Sequence, residues 1–338
     1  MSTPRIDPDP LSPLNQMQRY LVHEFIDDYQ DGLLSRRDLT AKIGYIAGGA
    51  AAATAILTRF GVDDGVVLAQ EAGATPQATA PQSPLSVPPD DPSVFGVDIT
   101  FPSGSGDYAA YEARPVGSGS TPIPEGFAEA TPTGNGSGLV LVCHENRGLT
   151  DHIRDVARRL AKVGYVACAI DLLSPEGGTA AISDPNAIPN ILTGGDINRH
   201  VQAFMDAVTF YQQEGDPFSQ RVGMVGFCFG GGITWRTATQ EARLQAAVPY
   251  YGPPPPLDQV PNIKAAVFGV YSDDPGDFAN EGRDNLEAAL KAAGITYQIK
   301  IYPGTQHAFN NDTGPRYNEQ QAIAAWNDTL AWFARYLV

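Results

Sequence analysis

Cysteine is scarce in this chain: 3 residues in 338, at positions 143, 168 and 228. Their spacing excludes a Cys-x-x-Cys redox pair and a cysteine-built metal site. Cys143 and Cys168 lie in separate apolar runs and read as small core hydrophobes. Positive charge is also short, with 22 Lys and Arg against 38 Asp and Glu and a net charge of −16. No basic patch interrupts that balance, so a nucleic-acid partner is excluded. What remains is an acidity that keeps the chain soluble. There are no internal repeats. The uncharged stretch Ile43 to Leu57 is mildly hydrophobic and falls short of the roughly 20 residues a membrane helix needs. The hydrophobic content of 43% over 338 residues suffices for one large core with extensions.

What the chain does have is a nucleophile elbow. The run Arg221 to Gly232 contains Gly226-Phe227-Cys228-Phe229-Gly230, the pattern G-x-C-x-G with cysteine in the place of serine. Val222, Met224, Val225 and Phe227 predict a buried strand, and a helix follows. The flanking glycines let a strained strand-to-helix turn lift the Cys228 sulfur above the sheet. The turn also presents the Phe229 N–H at a helix N-terminus, where it can stabilise an oxyanion.

An elbow demands an acid and then a histidine downstream. Of the five histidines, at 23, 144, 152, 200 and 307, only His307 follows Cys228. It sits in a loop after the strand-like run Ile295 to Tyr302. The acid belongs after the strand Ala265 to Tyr271, in Ser272-Asp273-Asp274-Pro275-Gly276-Asp277. Asp274 is the preferred acid and Asp273 the next; Asp277 is the least favoured of the three.

A second cluster, His144-Glu145-Asn146-Arg147-Gly148-Leu149, closes the apolar strand Leu139 to Cys143. It falls on the same sheet edge as the elbow. The loop after this strand gives the second oxyanion donor in such folds, and the Asn146 N–H is the candidate. A buried carboxylate at Glu145 is costly unless paired, and a thiol that must lose its proton gives it a purpose. His144 reads as a packing residue.

Before residue 93 the chain changes character. Ser35-Arg36-Arg37-Asp38-Leu39 resembles the twin-arginine export motif, and residues 43–57 suit its apolar region. Small-residue cleavage candidates are 67–69 and 72–74. Residues 14–34 repeat Met17, Leu21, Phe25 and Tyr29 at helical spacing, as a small helix ahead of the signal would. The organisation read here is an N-terminal helical extension and signal-like segment over 1–74, a Pro/Ala/Ser-rich linker over 75–92, and a catalytic domain over 93–338. The partners that follow are the twin-arginine export machinery, transient membrane contact through 43–57, and a periplasmic or extracellular site of action. An uncleaved signal would leave the protein tethered to the membrane.

From Ser93 onward strand and helix patterns alternate, which predicts a doubly wound α/β fold with a mostly parallel sheet and helices on both faces. These residues resemble the dienelactone hydrolase family of the α/β-hydrolase superfamily. The likeness is carried by 144–149, Gly164-Tyr165-Val166-Ala167, Asp171-Leu172-Leu173, the elbow, and His307-Ala308-Phe309. It implies a Cys-Asp-His triad of Cys228, His307 and Asp274 or Asp273, with Glu145 holding or deprotonating the resting thiol. It implies no metal and no organic cofactor. Dienelactone-cleaving members hold the substrate carboxylate with arginines, one of them four residues after the histidine; here that position is Asn311. Arg147 and Arg199 are the substitutes in reach of this reading. The function expected is hydrolysis of an ester or lactone of small size through a thioester, of the carboxymethylenebutenolidase type. A general exported carboxylesterase, and a non-catalytic or thiol-redox protein on the same fold, are the rivals.

Overall fold

The computed structural model describes residues 9–62, 83–116 and 138–337. The chain divides into two compact units, Met1–Gln77 and Ala78–Val338.

In the first unit Asn15 opens helix α1 (Gln16–Gln30) with a capping box. Its side chain accepts from the Gln18 backbone N–H at 2.9 Å, and the Gln18 side-chain Oε1 accepts from the Asn15 N–H at 3.0 Å. This is the helix the spacing of Met17, Leu21 and Phe25 predicts. Ser35 caps helix α2 (Arg36–Ala47), so the paired arginines form its first turn. The apolar stretch 43–57 is not one continuous segment. Gly48 (φ 82°) and Gly49 (φ 143°) break it, and helix α3 (Ala50–Arg59) leaves at 114° to α2. No single described helix is long and apolar enough to cross a membrane. The cleavage candidates 67–69 and 72–74 lie outside the described residues.

The second unit is built on one eight-stranded sheet. Its chain order is β1 (Val94–Ser103), β2 (Gly106–Pro115), β3 (Leu139–Cys143), α4 (Asp151–Lys162), β4 (Val166–Ile170), α5 (Ile188–Thr193), α6 (Asn198–Gln213), β5 (Val222–Phe227), α7 (Phe229–Gln240), β6 (Leu244–Tyr250), β7 (Ala266–Ser272), α8 (Arg283–Ala292), β8 (Tyr297–Tyr302) and α9 (Glu319–Tyr336). The spatial order is β1-β2-β4-β3-β5-β6-β7-β8. β1 and β2 form a hairpin, with Phe101 opposite Tyr108, and β2 runs antiparallel to β4. The other pairings are parallel. Strands β3, β4, β5 and β7 are buried along their whole length, as continuous apolar runs in a doubly covered sheet should be. The winding direction reverses between β3 and β5. Ligand sites in open α/β sheets form at the carboxyl ends of the strands flanking such a reversal, and here those ends carry Glu145 and Cys228.

Two helix starts are set by local caps. Helix α8 begins at Arg283, because Asp277 caps a separate short turn over Phe278–Asn280 and Gly282 takes a left-handed conformation (φ 78°). Helix α9 begins at Glu319, because the Asn318 side chain accepts from the Gln321 N–H. The described end of the Pro-rich stretch is also tied down. The Val87 N–H donates to Asp155 at 2.7 Å, Arg158 donates to the Val87 carbonyl at 2.6 Å, and Ser86 donates to Asp312 at 3.1 Å. Residues 83–92 are therefore held against α4 and do not run free as a linker.

Candidate active site

Cys228 has φ 56° and ψ −117°, a conformation that an L-residue holds only when its surroundings enforce it. Those surroundings are glycine contacts. A Cβ on Gly226 would lie 2.2 Å from the Gly230 carbonyl oxygen. One on Gly230 would lie 2.5 Å from the carbonyls of both Cys143 and His144. The absence of side chains therefore lets three pieces converge: the end of β5, the first turn of α7 and the end of β3. Phe229 is the first residue of α7, so its N–H belongs to the unsatisfied first turn of a helix. Asn146 is buried in the loop packed against that turn.

Cys228 Sγ and a ring nitrogen of His307 lie within 4.8 Å of each other. The other side of the imidazole corrects the sequence expectation. His307 Nδ1 bonds Asp277 Oδ1 at 2.9 Å, not Asp274 or Asp273. The Asp277 side chain is fully buried. Its Oδ2 accepts from the Ser272 hydroxyl at 2.6 Å, and Oδ1 also accepts from the Ala279 N–H at 2.9 Å. Burial alone would raise the Asp277 carboxyl pKa. The facing His307 and these hydrogen bonds outweigh it and hold the carboxyl below its ordinary value. Asp273 is exposed and has a different task. It accepts from the Gly304 and Thr305 N–H groups at 2.7 and 3.0 Å, which fastens the β7 loop to the loop carrying His307. Those two backbone bonds lower its carboxyl pKa. Asp274 caps the turn by accepting from the Gly276 N–H at 2.8 Å. That turn folds the chain back: the Asp277 N–H reaches the Asp274 carbonyl at 3.1 Å, which returns Asp277 to the end of β7. The usable signal was the pattern Asp277-Phe278-Ala279, an aspartate opening a helical turn. The rings of Phe278 and Tyr251 flank the imidazole at 4.6 and 4.9 Å.

Glu145 is 8% exposed. The Asn311 amide donates to its Oε2 at 2.6 Å, and Oε1 has no hydrogen-bond partner. His144 braces the loop. Its Nδ1 lies 2.6 Å from the Glu145 carbonyl, and its Nε2 accepts from the Leu172 N–H at 3.2 Å; these contacts assign the proton to Nδ1. Burial pushes the His144 imidazole pKa down, so the brace is neutral. Of the two arginines considered for substrate, Arg199 is paired with Glu176 at 2.8 Å. Arg147 donates to the Pro185 carbonyl and the Asn186 side chain, each at 3.3 Å. Tyr251, not among the residues the sequence singled out, is fully buried with φ 36°, and its ring also contacts Phe309 at 5.8 Å.

Cys228 and His307 are chemically able to bind a metal. Asp277 occupies His307 Nδ1, so that nitrogen is committed to the buried carboxylate. Cys143 and Cys168 are buried and unbridged. Burial pushes their thiols up, that of Cys168 to about 12, which makes them poor partners for thiol exchange.

The dienelactone hydrolase family matches this chain over residues 128–337. A Salmonella typhi protein named "Putative carboxymethylenebutenolidase" is 33% identical over 273 residues, covering 77% of this chain and 94% of its own length. The protein of the same name from Escherichia coli K12 is 32% identical over 280 residues, covering 79% and 96%. Among solved structures, the "Putative Dienelactone Hydrolase" of Klebsiella pneumoniae superposes with a TM-score of 0.61 at 29% identity, over 72% of this chain and 99% of its own.

Proposed function

We propose that this chain, which belongs to the dienelactone hydrolase family, hydrolyses a small ester or lactone through a Cys228–His307–Asp277 triad and a thioester intermediate. The observation that carries the reading is the strained Cys228 beside an imidazole whose far nitrogen is bound by a buried carboxylate.

The steps follow from the positions. Cys228 gives its proton to His307, with Glu145 on the same sheet edge holding the resting thiol or assisting its ionisation. The thiolate adds to the carbonyl carbon, and the carbonyl electrons move onto oxygen. The N–H groups of Phe229 and Asn146 receive that oxyanion; one such donor is worth about 3 kcal/mol in a transition state. Collapse expels the alkoxide, which takes the proton from the His307 imidazolium and leaves an S-acyl enzyme. His307 then removes a proton from water, and hydroxide displaces the thiolate. Asp277 holds the ring in the productive tautomer and stabilises it when protonated.

The carboxymethylenebutenolidase activity named for the relatives is the first substrate class to test. A neutral ester is the second reading, and Asn311 favours it. The arginine that the family resemblance expects four residues after the histidine is replaced by a neutral amide committed to Glu145. Export through the Arg36-Arg37 motif is part of the same proposal, supported by the sequence pattern around Ser35.

The test is a burst assay with p-nitrophenyl acetate on the full chain, followed by intact mass. An adduct of about 42 Da on Cys228, absent after alkylation, supports the acyl-enzyme. A folded protein that shows neither burst nor turnover refutes it.

A further inference from the structure

Six fully buried tyrosines among the described residues provide an internal comparison. Tyr108 pairs with the Ser105 hydroxyl at 3.3 Å. Tyr250 pairs with Thr329 at 2.7 Å, Tyr271 donates to the Gly252 carbonyl at 3.1 Å, Tyr211 donates to Glu112 at 2.5 Å and Tyr302 donates to Asp328 at 2.6 Å. Only the Tyr251 hydroxyl among them has no partner. Buried phenols are normally satisfied, so this one is built for something the protein does not itself supply.

Its placement is enforced. Tyr251 follows β6, the strand whose last residue, Tyr250, receives the Cys228 N–H at 3.1 Å. Its own N–H is tied to the Val270 carbonyl at 2.7 Å. Its φ of 36° is a strained value for a residue with a Cβ. The ring is wedged among His307, Phe309 and Phe227, at 4.9, 5.8 and 6.4 Å. Burial, together with the negative charges of Glu145 and Cys228, holds the phenol far above its ordinary pKa. The group therefore stays protonated and offers a donor to the space around the nucleophile. Glu145 contributes the complement, since Oε2 is occupied by Asn311 while Oε1 is a buried acceptor without a partner.

We propose that the Tyr251 hydroxyl and Glu145 Oε1 form a hydroxyl-binding subsite beside Cys228, which selects esters and lactones hydroxylated on the carbon next to the scissile carbonyl. A hydroxyl is the smallest group that accepts from a phenol and donates to a carboxylate at once. After the carbonyl carbon that the sulfur attacks, the carbon next to it is the substrate carbon held nearest the sulfur. Sites built around a substrate hydroxyl reject analogues lacking it more strongly than apolar pockets reject a missing methylene. This inference rests on the hydrolase reading of the site.

The experiment compares kcat/KM for α-hydroxy-γ-butyrolactone and γ-butyrolactone by pH-stat titration, in the wild-type protein and in Tyr251→Phe. The wild type should favour the hydroxylated lactone by about tenfold or more, and Tyr251→Phe should cut that ratio about tenfold or more. Removing a hydroxyl that has no partner leaves the ring packing intact, and a thermal melt matching the wild type checks this. A wild-type ratio near one, or a ratio unmoved in Tyr251→Phe, overturns the subsite while leaving the hydrolase reading standing. Hydrolysis that persists in Cys228→Ala, or no hydrolysis of either lactone or of p-nitrophenyl acetate, overturns both.

Discussion

Replacing Asp277 by Asn tests the most specific feature of the site. In the wild type, Oδ1 accepts from His307 Nδ1 and from the Ala279 N–H, and Oδ2 accepts from the Ser272 hydroxyl. An asparagine keeps one acceptor and turns the other oxygen into a donor. If its carbonyl stays on Ala279, the amide NH₂ displaces the Ser272 proton contact, which the rotatable hydroxyl tolerates. If the NH₂ faces His307, it requires a bare Nδ1 and forces the proton onto Nε2, the nitrogen that must act as base. The wrong tautomer in a serine triad costs up to about 10⁴-fold in kcat, and losses of about 10²-fold to 10⁴-fold are expected here. The stability change should be small beside that, because shape is conserved and most bonds survive. The neighbours are the controls. Asp274→Asn keeps the oxygen that accepts from Gly276 and should change turnover less than about threefold. Asp273→Asn loosens the clamp on residues 304 and 305 and should cost a few-fold through loop order; a neutral hydrogen bond is worth about 1 kcal/mol. The assay is single-turnover acylation by p-nitrophenyl acetate from pH 5 to pH 9, with thermal melts on every variant. If Asp273→Asn or Asp274→Asn abolishes acylation while Asp277→Asn retains it, the assignment of the acid is wrong, whatever the hydrogen bonds suggest.

Four other outcomes follow. Cys228→Ala should abolish ester hydrolysis with a melting temperature within a few degrees of wild type, and retained turnover sinks the nucleophile assignment. Gly226→Ala should fail to reach the native fold in a solubility and circular-dichroism assay, because its Cβ would lie 2.2 Å from the Gly230 carbonyl and 2.4 Å from the Thr234 hydroxyl. His200 is buried, and its pKa is lowered from 6.5 to about 4, first by burial and then by the nearby Arg199, against its bond to the Leu192 carbonyl. The folded pKa lies below the unfolded one, so the unfolded chain binds more protons and stability falls as pH drops from about 6.5 to about 4, by about 3 kcal/mol; urea midpoints in that window should move little in His200→Gln if this residue is irrelevant, and should lose part of their pH slope if it is not. Replacing Arg36 and Arg37 together by lysine should trap the full-length chain in the cytoplasmic fraction of a twin-arginine-competent bacterial host, and unchanged fractionation refutes the export proposal.

The sheet was legible because parallel strands buried on both faces are written as unbroken apolar runs. Leu139 to Cys143 and Val222 to Phe227 are such runs, and both lie where they were expected. The elbow was legible for a different reason. The glycines at 226 and 230 are steric necessities, and each would place a Cβ within 2.5 Å of a backbone oxygen. Necessity of that kind leaves a mark at fixed spacing. The break in the stretch 43–57 also had its mark in Gly48-Gly49, which a reading guided by hydrophobicity alone passes over.

The carboxylate that bonds His307 was not legible from its distance along the chain, because position in a loop is not set by residue count. Asp273 and Asp274 come first after β7, and an extended path would place either of them near His307. The chain does not take that path. Asp274 binds Gly276, the Asp277 N–H returns to the Asp274 carbonyl, and Ser272 receives Asp277 with its hydroxyl. A four-residue turn thus carries the fifth residue after the strand back to the strand's end. The three aspartates also divide by solvent. The two nearer the surface, exposed Asp273 and half-buried Asp274, can bind loop amides cheaply, as Asp273 does, whereas orienting an imidazole calls for a carboxylate kept from water by Phe278, Ser272 and the ring itself. Burial decides among the candidates, and burial belongs to the folded turn. Asn311 follows the same logic from the other side of the site. Its place four residues after His307 was visible in the sequence, but its bond to Glu145, which leaves a single buried carboxylate oxygen without a partner, exists only once β3 and the loop after β8 meet.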